Sequence, residues 1–129
     1  MKHKLVIKND LNALETLYQW MERLLKNHNV QKKNLRNILL ITQEMATNSI
    51  LHGNKNQIEK IVTIEVTISE EISIEIEDEG EGIKRLPSKK EAKELDYLAE
   101  NGRGLKLAVL LTKSIELDGN RIKLIFKKN

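Results

Sequence analysis

The sequence predicts an α/β (α+β) two-layer sandwich, a mostly antiparallel mixed sheet with helices packed on one face. Three observations predict it. Apolar residues recur at helical spacing from Leu11 to Leu25 and again after Gln31. They then alternate strictly with polar ones between Ile61 and Ile76, and the chain closes with two short apolar runs around Asp118-Gly119-Asn120. With 129 residues and no Pro/Gly/Ser-rich linker, 1–129 reads as a single domain. Aromatics make up only 3% of it, so the core must be built from Ile, Leu and Val.

Each element follows from its own pattern. Lys4 to Lys8 reads as an edge strand, ended by Asn9-Asp10, with Asp10 placed to cap the next helix. Leu11, Leu14, Leu17, Tyr18, Met21, Leu24 and Leu25 form one helical stripe. Trp20 lies off that stripe, either as a partner contact or as a partly exposed ring over a neighbouring loop. A second helix is expected from about Gln31 to His52, buried through Leu35, Ile38, Leu39, Met45 and Ala46, with Gly53 as a left-handed cap.

Val62, Ile64, Val66, Ile68, Ile72, Ile74 and Ile76 share one parity, which makes two strands with one dry face joined at Ser69-Glu70-Glu71. From Ile83 to Asn101 the pattern weakens around Pro87 and the charged run Lys89 to Glu94, and this stretch reads as a mobile cover with apolar contacts from Leu95 and Leu98. A third helix opens at Gly104 with Leu105, Leu107, Ala108, Val109, Leu110 and Leu111, apolar enough to be sandwiched in the core. Ile115 to Leu117 and Ile122 to Phe126 complete a hairpin.

Composition excludes several functions. The formal net charge is +3, from 22 basic and 19 acidic side chains that are interspersed, and no aromatics are interleaved with the lysines. That argues against direct nucleic acid binding. There is no cysteine, hence no disulfide framework and no thiolate zinc site. The first residues lack the apolar stretch of a signal peptide, and no segment approaches the roughly eighteen consecutive apolar residues of a membrane span, so a cytoplasmic location without membrane attachment is expected.

Three stretches carry chemistry. Glu44, Asn48 and His52 are four apart and form a slanting stripe able to line one cleft. Asn offers a neutral oxygen to a hard cation such as Mg²⁺, and Glu can take a proton from water or a hydroxyl. The same stripe also suits a solvent-facing helix surface. Asp78 continues the parity of Ile72, Ile74 and Ile76 onto the dry face, where a carboxylate needs a donor. A purine exocyclic amine would supply one, with Gly80 and Gly82 letting the backbone pass close by; a strand-end Asp capping its own turn is the other reading. Gly102-Arg103-Gly104, ahead of an apolar helix, presents N–H groups suited to phosphate or forms a plain turn. For Lys55, Lys89, Lys90 and Lys93 the expectation is solvated charge rather than a phosphate contact. No Gly-x-x-x-x-Gly-Lys-Ser/Thr loop is present.

Taken in order, these stretches resemble the motifs of the GHKL, or Bergerat-fold, ATPases. Glu44 to Asn54 resembles their N-box, Asp78-Glu79-Gly80-Glu81-Gly82 their Asp-x-Gly-x-Gly box, and Asn101 to Leu107 their second glycine box. Within that superfamily the wording is most similar to bacterial anti-sigma-factor serine/threonine kinases, over nearly the whole chain. The resemblance implies the histidine kinase-like ATPase fold, with ATP (ADP after turnover) and Mg²⁺ as cofactors. It implies Glu44 as general base, Asn48 as Mg²⁺ ligand, Asp78 as adenine anchor, Gly80 and Gly82 beside the base, and Gly102, Arg103, Gly104 and Leu105 at the phosphate end, with His52 counted in the same site.

As partners it implies a sigma factor and a STAS-type anti-anti-sigma protein whose serine is phosphorylated, and a possible homodimer. A non-catalytic nucleotide-binding partner switch is the alternative, followed by the detached ATP-binding domain of a two-component histidine kinase, for which no phospho-acceptor helix is apparent. Two features depart from the family pattern. Glu81 adds a carboxylate beside the pocket, and Arg121-Ile122-Lys123-Leu124 has no hydroxyl where relatives often keep a threonine.

Overall fold

The computed structural model describes residues 1–82, 88–93 and 103–129, with Arg103 described through its backbone. Five strands, β1 (Lys2–Lys8), β2 (Ile61–Ile68), β3 (Glu71–Glu77), β4 (Ser114–Asp118) and β5 (Arg121–Lys127), form one sheet in the order β1-β2-β3-β5-β4, and each described pairing is antiparallel. Helices α1 (Ala13–Asn27), α2 (Lys32–Asn48), α3 (Lys89–Lys93) and α4 (Arg103–Leu111), with a π-helical turn at Ser49–Gly53, complete the described elements.

The dry face follows the parity of the sequence. Val62, Ile64, Val66, Ile72, Ile74 and Leu124 are fully buried, in register across β2, β3 and β5, and they meet Leu17, Met21 and Leu25 of α1 and Ile38, Ile41 and Met45 of α2. Each such side chain contributes roughly 1.5–3 kcal/mol by leaving water. The opposite face carries a charged row in register, Lys4, Glu65, Glu75, Lys123 and Glu116. The α1 stripe is narrower than expected, because Leu11 and Tyr18 are exposed while Trp20 packs against the core edge.

Three local expectations are corrected. Asp10 makes no helix cap; its Oδ1 accepts the N–H of Asn12 at 2.9 Å, a turn that precedes α1. Helix α2 ends at Asn48 and widens into a π-turn, Ser49–Gly53, in which Asn54 N–H donates to the Ser49 carbonyl at 2.7 Å. Gly53 is therefore no left-handed cap, and the positive φ values fall just after it, at Lys55 (52°) and Asn56 (59°). Helix α4 is not sandwiched in the core: of its apolar residues only Gly104 and Ala108 are buried, and Leu110 faces solvent. The sheet is already covered by α1 and α2, so α4 packs beside them, against α2, α3 and β4. Its small residues permit the approach, since a Cβ on Gly104 would lie 2.9 Å from Cβ of Glu44.

The cover expected from Ile83 to Asn101 is described only at its centre, where Ser88 Oγ and Glu91 Oε1 exchange a capping pair with the N–H groups of Glu91 and Ser88. Ile83, Pro87, Leu95, Leu98, Asn101 and Gly102 lie outside the described residues.

Candidate functional site

The end of α2, the loop after β3, the start of α4 and the tip of the β4–β5 hairpin enclose a cavity of about 310 Å³. Its apolar wall is Met45, Ile76, Leu105, Leu117 and Ile122, and its polar groups include Asn48, His52, Asp78 and Asn120. This mixture of an apolar lining with few convergent polar groups, at a volume near the lower end of ligand pockets, is the usual composition of a small-molecule site.

The sheet's parity delivers Asp78. One residue past β3, its side chain continues the line of Ile72, Ile74 and Ile76 and reaches the cavity floor, 9% exposed. Its Oδ1 accepts the N–H of Gly80 at 2.7 Å, whereas Oδ2 takes no hydrogen bond from any described residue. A carboxylate with one oxygen free in a mostly apolar cavity is built to receive a donor. The turn-capping reading of Asp78 is observed in its bond to the Gly80 N–H, and the same carboxylate lines the cavity.

Helix α2 supplies the opposite wall. Asn48 and Met45 line the cavity from its last regular turn, and the π-turn brings Ser49, His52 and Gly53 to the same wall. Widened turns of this kind recur at ligand sites because they shift side chains out of the α-helical phase. Glu44 sits one turn before Asn48, half-buried and outside the cavity lining, with its Oε2 3.1 Å from where a Cβ of Gly104 would stand. It therefore faces the first turn of α4.

Of the expected site residues, Asn48, His52, Asp78, Gly82 and Leu105 line the cavity together. Gly80 does not line it. A Cβ there would lie 2.1 Å from the Gly53 carbonyl oxygen, so Gly80 is the packing surface on which the π-turn rests. Gly104 contacts Glu44, Arg103 opens α4, and Gly102 falls outside the described residues. Glu81 also lines the cavity, and where a hydroxyl is missing from the last strand Ile122 presents an apolar wall. Lys55, expected as solvated charge, lines the cavity while exposed; Lys89, Lys90 and Lys93 are exposed on α3.

Sequence reasoning gave Asn120 only a turn, and it named Gly53 and Asn54 within the N-box stretch without their contacts to the loop after β3. Gly53 touches the Asp78 carboxylate, Asn120 holds the Asp78 backbone, and Asn54 is fully buried beneath the loop. Asn54 Nδ2 donates to Asn9 Oδ1 (3.0 Å) and to the Ile61 carbonyl (2.9 Å), and its Oδ1 accepts the N–H of Glu79 (2.7 Å). Glu79 in turn accepts the N–H of Ile61 at 2.8 Å. The sequence signals for Asn54 were its place at the end of the N-box stretch and directly after a helix-ending glycine, and neither points to a buried contact with Glu79.

Known proteins match this chain in sequence and fold. A family profile described as a histidine kinase-like ATPase domain matches residues 7–128. The anti-sigma F factor of Clostridium perfringens is 36% identical over 103 residues, 73% of this chain and 71% of that protein. That of Clostridium beijerinckii is 31% identical over 103 residues, 73% of this chain and 70% of that protein. Among solved structures, the RsbU and RsbW domains of a Mycobacterium tuberculosis protein superpose with a TM-score of 0.70 at 13% identity, over 98% of this chain and 32% of that one. A histidine kinase domain from Erythrobacter litoralis superposes at 0.54 and 14% identity, over 95% of this chain and 62% of that one. At such identities the likeness concerns fold alone. On the sequence matches, the chain belongs to the histidine kinase-like (GHKL) ATPase family, in its anti-sigma factor group.

Proposed function

We propose that this chain is an anti-sigma factor that binds Mg²⁺-ATP in the cavity, sequesters a sigma factor, and phosphorylates a serine of a STAS-type anti-anti-sigma protein in the cytoplasm. The observation that carries this reading is the convergence of Asn48, His52, Asp78, Gly82 and Leu105 on one mainly apolar hollow. Three separate sequence motifs contribute those residues. The relatives named anti-sigma F factors supply the partner class.

The residues present fit the proposed ligands. The Asp78 carboxylate, whose Oδ2 takes no hydrogen bond from a described residue, suits the exocyclic amine of adenine, and Met45, Ile76, Leu117 and Ile122 suit its faces. Asn48 offers a neutral amide oxygen, and among the described residues no group of three or more His, Asp or Glu is placed to cage a metal. Such a set fits a hard cation that arrives with phosphate oxygens and keeps most of its shell from them and from water. When bound, Mg²⁺ supplies charge neutralisation on the phosphates.

In the proposed reaction Glu44, beside the first turn of α4, accepts the proton of the attacking serine hydroxyl. The serine oxygen bonds to the γ-phosphorus, the bond to the bridging oxygen breaks, and ADP leaves with its electron pair. The protein's contribution is chiefly positioning and electrostatic stabilisation, as in other phosphoryl transfers. Incubation with labelled ATP, Mg²⁺ and a candidate antagonist places label on an antagonist serine. Binding of ATP with no label transferred would instead leave a non-catalytic partner switch, a reading for which Glu81 on the cavity wall is the specific observation.

A further inference from the structure

Where β3 ends, the ladder it shares with β5 has one more rung, and a side chain makes half of it. Glu77 and Arg121 are the last ladder pair. Beyond them the N–H of Asp78 donates to the Asn120 carbonyl at 3.1 Å, and Asn120 Nδ2 donates to the Asp78 carbonyl at 2.6 Å. Asn120 sits in the hairpin turn after Gly119, whose φ is 58°, and its carboxamide takes the place of a strand N–H. The same turn supports the following loop, since a Cβ on Gly82 would lie 1.7 Å from the Gly119 carbonyl oxygen.

The backbone around Asp78 is thus fixed from both sides. Asn120 holds its N–H and carbonyl, and the buried Asn54 holds the next N–H, that of Glu79. Only side-chain rotation remains to Asp78, and one carboxylate oxygen is already committed to Gly80. Asn120 lines the cavity beside Asp78, so this clasp lies at the cavity wall rather than behind it.

We propose that Asn120 is a positioning residue that sets the cavity's preference for a base bearing an exocyclic amine, by holding the Asp78 backbone so that its carboxylate meets that donor. The proposal rests on Asp78 as base anchor. Hydrogen bonds weaken steeply with misalignment, whereas apolar contact with a base face and phosphate contacts tolerate small shifts. Loosening Asp78 therefore removes discrimination before it removes binding.

The test compares ATP with purine riboside triphosphate, which lacks only the 6-amino group, by displacement of a fluorescent nucleotide in Mg²⁺ buffer. The wild-type chain is expected to prefer ATP by about tenfold, the worth of one well-made hydrogen bond to a charged group. Asn120→Ala should cut that preference about fivefold and leave affinity for the analogue within about twofold. Asn120→Asp, of the same size but with an acceptor facing the Asp78 carbonyl, should do the same and serves if the alanine variant does not fold. An unchanged preference in both variants, or an equal loss for both nucleotides, overturns the role of Asn120. No preference in the wild type overturns Asp78 as the anchor, and the proposal with it.

Discussion

Gly53 and Asp78 are in contact: a Cβ carried by Gly53 would lie 2.1 Å from Oδ2 of Asp78 and 2.5 Å from its carboxyl carbon. The glycine near the end of the N-box stretch thus shapes the seat of the carboxylate 25 residues later. Its requirement is steric, because Gly53 does not occupy the left-handed region.

Gly53→Ala should therefore act on the ligand site more than on the backbone. The added methyl has no room unless the Asp78 carboxylate turns away, so ATP affinity is expected to fall at least tenfold, or about 1.4 kcal/mol. Titration calorimetry checks it; an affinity within twofold of wild type would show that the carboxylate moves without consequence.

Asn54→Ala removes a fully buried amide and its three hydrogen bonds, leaving the Glu79 N–H, the Asn9 Oδ1 and the Ile61 carbonyl each without that partner. Unmade buried hydrogen bonds of this kind cost roughly 2–4 kcal/mol in total. Urea unfolding should show a lower midpoint with little change in slope. A loss below about 0.5 kcal/mol would mean that water replaces the amide without penalty.

Much of this architecture was legible because its signal is local and periodic. The shared parity of Val62 to Ile76 predicted the dry face, and the same parity carried Asp78 to the cavity floor. The contacts of Gly53 and Asn120 with Asp78 were not legible, for a common reason. A glycine after a helix and an asparagine in a hairpin both satisfy turn chemistry, so their sequence neighbours conceal contacts made with Asp78 across the fold. Helix α4 failed differently: an apolar run states that a surface is available for burial, not that other elements leave room to bury it, and Leu110 stays exposed.

Glu44→Ala tests the proposed base. Glu44 stands outside the cavity lining, so ATP affinity should stay within about threefold while transfer to the antagonist serine falls by 10²-fold or more, the usual contribution of a positioned base. Single-turnover kinetics with saturating ATP separates the two quantities. Unchanged transfer would remove Glu44 from the role.

Glu81→Gln tests the departure at the cavity wall. Removing one exposed negative charge near a triphosphate should tighten ATP binding by about two- to fivefold at low ionic strength, with the gain shrinking as salt is added. Weaker binding in the variant would indicate that Glu81 helps to hold the ligand.

The proposed function requires that the end of α2, the loop after β3 and the start of α4 together form one nucleotide site. Titration calorimetry with millimolar ATP and Mg²⁺, on the wild-type chain and on Asp78→Asn, addresses it most directly. Saturable one-site binding is expected for the wild type, with at least tenfold weaker binding for the variant. Absence of binding to the wild type, or equal affinity in the two proteins, would contradict it.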